Sequence, residues 1–592
     1  MAQEAAYSAS LPYHEPGIVT ILIISSFLLL LNCVNWLLDR LVFCGLIGQI
    51  FIGIAWGAPG SKWLTTELQE VIVQLGYLGL LCIVYEGGIS SNIRALKANL
   101  FLSSAVALTG LAAPIGLSFV LLGLLPGTSP VQAFAAGAAL CSTSLGTTFT
   151  VLATSGLTES RLGVVLTSAA MMDDVVGLVM VQIISSLGEG STFSEVTVIR
   201  PVFVSIAFAL LIPMLCLFVA KPVLLHARTF LARPENGKYQ EVLCCQKAAF
   251  VYQTGVLLAM ITGATYAGTS NLFAAYLAGA SVTWLCDQLE EEDNKIANRT
   301  EHAGDLDRSN STAASAVNHQ AAHSSEDGCS GKEVYEKFYM HAVDHILRPF
   351  FFASIGFAIP ITRLFTGSVV WRGIVYTILM IFAKVICGAW LIRFGSMPRA
   401  KGVSNKLNSI SSTLGKCFGI VKSDKQTKRS QPLTEPIPAN ARPRPESAVL
   451  RQPSNATATA EASTEITAST PVALANTPRK RASLPKPKSL YPSSILGMAM
   501  VSRGEIGFLI SSVAESRGVF GAESQNSTFL IVTWAILLCT LIGPITVGLL
   551  VKRVRRLQKA ERQKARGHGQ KEDPLGVWGI VPQTSTGGGV VR

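Results

Sequence analysis

Charge is scarce in this sequence: only 15% of the 592 residues are Asp, Glu, Lys or Arg, whereas 49% are hydrophobic. A water-soluble protein of this size needs a charged surface, so a soluble enzyme or binding module is excluded, and a mean hydropathy of +0.42 points to lipid as the solvent. Metal and disulfide patterns are missing as well. The twelve cysteines are scattered, several of them inside apolar runs (Cys33, Cys44, Cys82, Cys387, Cys539), and no spacing matches a zinc site or a disulfide framework. Packing is their expected role, with Cys244-Cys245, beside a span, as a palmitoylation candidate. No bound cofactor is expected. The first apolar run follows the acidic Tyr13-His14-Glu15-Pro16 rather than a basic leader, so it reads as a retained span and not as a cleaved signal. The net charge of +12 sits in loops and tails without a recognition motif. It therefore implies membrane topology and attraction to anionic lipid, not nucleic acid as a partner.

What the chain does have is long apolar runs, such as Ile18 to Leu31, Phe101 to Leu125, Val202 to Phe218 and Thr528 to Leu550. A run of about 20 residues crosses a hydrocarbon core. Turn signals between the runs predict an all-α polytopic membrane protein of about thirteen spans, near 18-38, 41-57, 68-88, 101-125, 131-153, 161-187, 201-219, 247-268, 271-286, 346-365, 369-394, 492-516 and 527-551. The expected organisation is a short outer N-terminus (1-17), nine spans (18-286), a polar loop (287-343), two spans (344-395), a basic loop (396-490), two spans (491-551) and a basic tail (552-592). Both loops have compositions that cannot bury a core and read as disordered. Alternate connections carry the lysine and arginine, including Arg94, Lys97, Lys221, Arg228, Arg233, Lys238 and Lys247. Positive charge accumulates on the cytosolic side, so the N-terminus is expected outside and the C-terminus inside. The Ser/Thr/Pro-rich loops suggest a eukaryotic, fungal-type protein; plasma membrane, vacuole and endosome all stay open as its location. Arg479-Lys480-Arg481-Ala482-Ser483 resembles a basophilic kinase site.

Inside a membrane the informative residue is the ionisable one, because it is costly at mid-depth unless paired or hydrated. Four places qualify. Asp173 and Asp174 are adjacent carboxylates in the middle of the span from Gly163 to Leu187, and neighbours on a helix point about 100° apart, so they can face different partners. Lys384 is central in its span and needs a carboxylate nearby. Arg503 and Glu505 read as an internal, structural ion pair. Glu86 lies close enough to a span end that interfacial exposure and function are equally open. Burial raises a carboxylate's pKa and a neighbouring cation lowers it, so an acid held between these influences can trade H+ for a cation. Two segments look like helices broken at mid-membrane, where transporter sites form: Gly137 to Thr148, with Thr143 and Ser144, and Arg348 to Pro360, with Ser354 and Gly356. A channel would need a filter of carbonyls or a ring of acids, and no such repeat is visible. An intramembrane hydrolase would need acids on separate helices or a Ser/His pair, so no enzyme is expected.

Taken in order, these motifs resemble the monovalent cation:proton antiporters of the second branch, which includes NapA-like sodium/proton antiporters and Kef-like potassium systems. Ala139 to Ser144 is similar to the family's unwound segment, Asp173-Asp174 to its paired acids, and Phe351-Phe352-Ala353-Ser354-Ile355-Gly356 to an FF-x-SIG crossing helix. Lys384 falls where many members carry lysine, and Ser502 to Gly507 is similar to an RGE-x-G helix. The resemblance implies a NapA/NhaA-like fold of two inverted repeats with broken crossing helices, a core and a dimerisation domain, and a homodimer. It implies Na+ or K+ exchanged for H+, with Asp174 as principal ligand of the transported cation and Asp173 as partner of Lys384. Two acids plus lysine imply electrogenic exchange; an electroneutral K+/H+ exchanger and a cation channel of the same fold are the alternatives.

Overall fold

In a computed structural model the described residues are 13, 15–42, 44–91, 93–144, 157–158, 160–188, 195–231, 245–307, 331–394, 490–521, 527–564 and 574–579. Among them all regular structure is helical. This follows from the solvent: no water reaches backbone N–H and C=O groups in hydrocarbon, and a helix satisfies them within one segment.

The helices used below are α1 (Ile18–Val42), α2 (Leu46–Trp56), α3 (Thr66–Ile89), α4 (Ile93–Ser118), α5 (Pro130–Ala139), α6 (Arg161–Leu187), α7 (Glu195–Leu215), α8 (Gln246–Ala267), α9 (Asn271–Asp307), α10 (Gly331–Phe338), α11 (Arg348–Phe357), α12 (Gly367–Val385), α13 (Tyr491–Val501), α14 (Glu505–Ser516) and α15 (Ser527–Lys564). Among the described residues nine helices are long and apolar enough to cross a membrane, and α2 is a shorter apolar helix. Each span expected from the sequence coincides with a helix at least in part; the end of the 131-153 span lies outside the described residues. Local signals set the boundaries. Ser129 caps α5 in a capping box with Gln132, Ser160 caps α6 through Gly163 N–H, and Gly268, at φ +79°, closes α8 in the left-handed conformation that glycine tolerates.

Two groups of helices result. In one, α3 packs on α9 and α11, α11 on α2, and α9 on α8. Glycines allow the close approach: a Cβ on Gly76 would lie 2.8 Å from the Phe351 Cα. In the other, α4 packs on α5, α6 and α12, and α13 and α14 pack with α15, α12, α6 and α5. This second group twice repeats the pattern of long helix, broken helix, long helix: α4, α5, α6, then α12, α13/α14, α15.

The polar segment expected at 287-343 begins as helix, because α9 continues through its acidic stretch to Asp307. Lys221 Nζ holds that continuation, donating to Gln288 Oε1 at 3.0 Å and lying 3.5 Å from Glu292 Oε1. Its far end is α10, where Tyr335 is buried against Tyr85. The 396-490 loop, with Ser483, and the pair Cys244-Cys245 up to Cys244 lie outside the described residues.

Candidate ion-binding site

The site forms where two helices stop short. After Ala139 the chain of α5 leaves the helix through Leu140 to Ser144, and after Val501 the chain runs extended through Ser502 (ψ 127°) and Gly504 (φ −146°, ψ −151°) before α14 begins. The two breaks meet: Ser144 N–H donates to Ser502 C=O at 2.9 Å. Glycine permits this, since a Cβ on Gly504 would sit 2.6 Å from Ser144 Oγ. The crossing partner of the Thr143–Ser144 break is therefore Ser502 to Gly504, and the expectation that Arg348 to Pro360 would fill that role is corrected. Ser354 donates to Phe351 C=O within α11, and Gly356 lies against the backbone of α2. Glycine and proline there serve close packing and a helix end, two uses that look alike in sequence.

Each break ends a helix with unsatisfied carbonyls at the negative end of its dipole, and a protein cation covers each. Lys384, fully buried on α12, donates to Cys141 C=O, to Thr143 Oγ1 at 2.9 Å and to Asp173 Oδ2 at 2.7 Å. Thr143 donates to the same Asp173 oxygen at 2.6 Å. Gly110 on α4 leaves the space for the ammonium, as a Cβ there would be 3.3 Å from Lys384 Nζ. Arg503, also fully buried, donates through Nη1 to Ser142 C=O at 2.9 Å and to Met500 C=O at 3.3 Å. The expected Arg503–Glu505 ion pair is not formed among the described residues. The extended backbone at 502–504 turns Arg503 toward the α5 break and leaves Glu505 as the first residue of α14.

The two adjacent acids thus have different surroundings, as their 100° offset allows. Asp173 is 0% exposed, with Oδ2 locked by Lys384 and Thr143 and Oδ1 without a partner among the described residues. Asp174 is half-buried and has neither hydrogen bond nor ion pair there. Its charge acts on Tyr276 of α9, whose hydroxyl shares a 2.8 Å hydrogen bond with Ser91 Oγ. α6 also packs on α9 of the other helix group, and Asp174 is within electrostatic reach of it, while Asp173 is locked to its own group by Lys384 and Thr143. Sequence reasoning did not find Gly110, Tyr276 or the carbonyls of Cys141, Ser142 and Met500. The break at Cys141 and Ser142 is legible in the small and hydroxyl residues from Gly137 to Thr148, whereas Gly110 shows only as a glycine in an apolar run, which does not say what it faces.

Glu86, by contrast, is part of a separate cluster. Arg348 Nη2 lies 3.1 Å from Glu86 Oε2 and Arg348 Nη1 lies 2.8 Å from Asp344 Oδ1, with Tyr335 OH donating to Glu86 at 3.3 Å. Arg348 thus belongs to an ion-paired helix end rather than to the break.

Residues 23–306 match the family model of the sodium/hydrogen exchanger, transmembrane. Over 143 residues the chain is 32% identical to the high-affinity Na+/H+ antiporter NhaS3 of Synechocystis, and over 134 residues 28% identical to the Na+/H+-K+ antiporter GerN of Bacillus cereus. These matches take in 24% and 23% of this chain and span about a third of each relative, 31% and 34%. In structure the chain is similar to the sodium proton antiporter MjNhaP1 of Methanocaldococcus jannaschii, at a TM-score of 0.50 and 13% identity, over 90% of this chain and 99% of that one. At that identity the likeness is one of fold. Residues 23–306 are thus similar to the sodium/hydrogen exchanger family, within an integral multi-pass membrane protein that has the fold of a sodium/proton antiporter.

Proposed function

We propose that this chain exchanges a monovalent cation, Na+ or K+, for protons, with Asp174 carrying cation and proton in turn. The observation that carries this reading is the contrast between the neighbours: a buried carboxylate locked to lysine at 2.7 Å, beside a half-buried carboxylate with no partner, both at a helix break. An unpaired carboxylate in a membrane-spanning helix is costly when charged, so it holds a proton or a cation. A cation arriving at Asp174 competes electrostatically with Lys384 for the neighbouring Asp173, and opening of that pair frees the lysine's proton. More than one proton then leaves for each cation, and net charge moves. Partnership as a homodimer, through the helix group of α1–α3, α8, α9 and α11, completes the reading.

The experiment is proton flux in liposomes containing the purified protein, with Na+, K+ and Li+ supplied in turn and a membrane potential imposed. Cation-dependent proton movement that responds to voltage is the expected result. Exchange indifferent to voltage would make the protein an electroneutral exchanger, and cation flux without proton movement would make it a channel.

A further inference from the structure

We infer that Glu505 is a second carboxylate ligand of the transported cation, acting with Asp174, rather than the structural partner of Arg503. The inference rests on the antiport reading above and names a residue which that reading does not contain.

The first step is elimination. A cation that sheds water needs several oxygens in exchange. The helix-break carbonyls look suited to this, yet Lys384 faces Cys141 C=O, and Arg503 faces Ser142 C=O and Met500 C=O. A mobile cation approaching these oxygens would meet two fixed positive charges. Thr143 Oγ1 already donates to Asp173 and accepts from Lys384. The break is therefore neutralised from within, and the transported ion must be held by oxygens outside it.

The second step is placement. α14 packs against α6, with Ile506 in contact with Gly177: a Cβ there would stand 3.1 Å from Ile506 Cγ2 and 2.9 Å from Ser142 Cβ. Gly177 is three residues beyond Asp174, hence on the same face of α6 one turn on. Glu505 precedes Ile506, is half-buried, and has no hydrogen bond or ion pair among the described residues. It lies near enough for its charge to act on Asp174, as the charges of Asp173 and Lys384 do. Two carboxylates without a hydrogen bond or ion pair among the described residues thus stand on packed helices, within electrostatic reach of each other. Oδ1 of fully buried Asp173, the sequence neighbour of Asp174, is a further oxygen without a partner among the described residues. Like charges so arranged repel unless a proton or a cation joins them.

A helix-end role is the competing explanation, because an acid in the first turn of α14 favours the positive end of its dipole. The two differ in what a substitution changes. The test compares wild type, Glu505→Gln and Glu505→Asp in two measurements: half-saturating Na+ and K+ concentrations for exchange in liposomes, and the rise in melting temperature that each ion gives the purified protein in detergent. Glu505→Gln is expected to raise the half-saturating concentration roughly tenfold with maximal rate largely kept, and to reduce the ion-dependent rise in melting temperature; Glu505→Asp recovers part of both. An unchanged half-saturating concentration in Glu505→Gln, or a lowered ion-free melting temperature with unaltered affinity, would overturn the inference. If Glu505→Gln cannot be purified folded, Glu505→Asp decides, since a ligand shortened by one methylene weakens affinity and a dipole-compensating charge does not. Should wild type move no protons with any cation, yet be stabilised by Na+ or K+ in a Glu505-dependent way, antiport fails and the ligand stands. Should wild type exchange normally with Glu505 irrelevant to affinity, the ligand fails and antiport stands.

Discussion

At the scale of single residues, Asp173 and Asp174 have the same chemistry and different surroundings, as the 100° between neighbours on a helix allows. Asp174→Asn keeps the side chain's shape but carries neither a proton nor a negative charge. It is expected to abolish cation-driven proton movement in liposomes while leaving a folded, monodisperse protein; retained exchange would remove Asp174 from the mechanism. Lys384→Gln probes the other acid. Removing one member of a buried pair typically costs about 3–5 kcal/mol, because the remaining charge is uncompensated, and a lone buried carboxylate avoids that cost by taking up a proton. The variant then lacks the ammonium proton that the opening pair releases, and the proton on Asp173 stays to offset the cost of its burial. Exchange by Lys384→Gln, where activity survives, is expected to respond less to an imposed potential than wild type. Equal voltage dependence in the same liposomes would show the lysine to be only a structural tie.

At the scale of helices, what the sequence shows depends on whether a signal has one physical cause or two. Asp173, Asp174 and Lys384 were legible because an ionisable residue amid apolar neighbours has few explanations, and the structure brings Asp173 and Lys384 to 2.7 Å. Glycine and proline have several. The Arg348 to Pro360 segment has both and was read as a crossing helix, whereas Gly356 serves close contact with α2 and Pro349 starts α11. Arg503 and Glu505 read as an internal ion pair because both are ionisable within one apolar span. The extended backbone at 502–504 sends Arg503 to the carbonyls of α5 and starts α14 at Glu505, and no local pattern encodes that choice. The crossing of the breaks can be tested at Gly504, whose extended backbone any residue adopts, so that only space demands glycine. Gly504→Ala brings its methyl to 2.6 Å from Ser144 Oγ and is expected to cost about 1–3 kcal/mol, the usual scale for overpacking. Adding Ser144→Gly should restore most of the lost melting temperature. Failure of that rescue would mean the two breaks do not press on each other there.

At the scale of the whole molecule, the charge-based topology places the start of α6 and everything beyond α15 on the cytosolic face. The structure offers a contact that depends on this. Leu575 and Trp578, 1% and 3% exposed, join Leu157, Leu162 and Val165 near the start of α6 and Val547, Val551 and Val554 of α15 in one apolar cluster. The Trp578 ring lies under the Arg161 guanidinium at 4.9 Å. Such a cation–π contact contributes about 0.5–2 kcal/mol. It also covers a positive charge that the N-terminal end of a helix dipole disfavours. The tail thereby holds the start of the helix that carries both acids, twelve residues before Asp173. Trp578→Ala removes the ring and part of the apolar cover, so the backbone of 157–166 is expected to exchange amide hydrogens severalfold faster. Exchange around Lys384, which is held by the break, should stay as in wild type. With the exposed native Cys33 and Cys245 replaced, a membrane-impermeant label should reach a cysteine placed at 592 only from the cytosolic side. Unchanged exchange at 157–166 would detach the tail from α6, and labelling from outside would invert the topology on which the positive-charge argument rests.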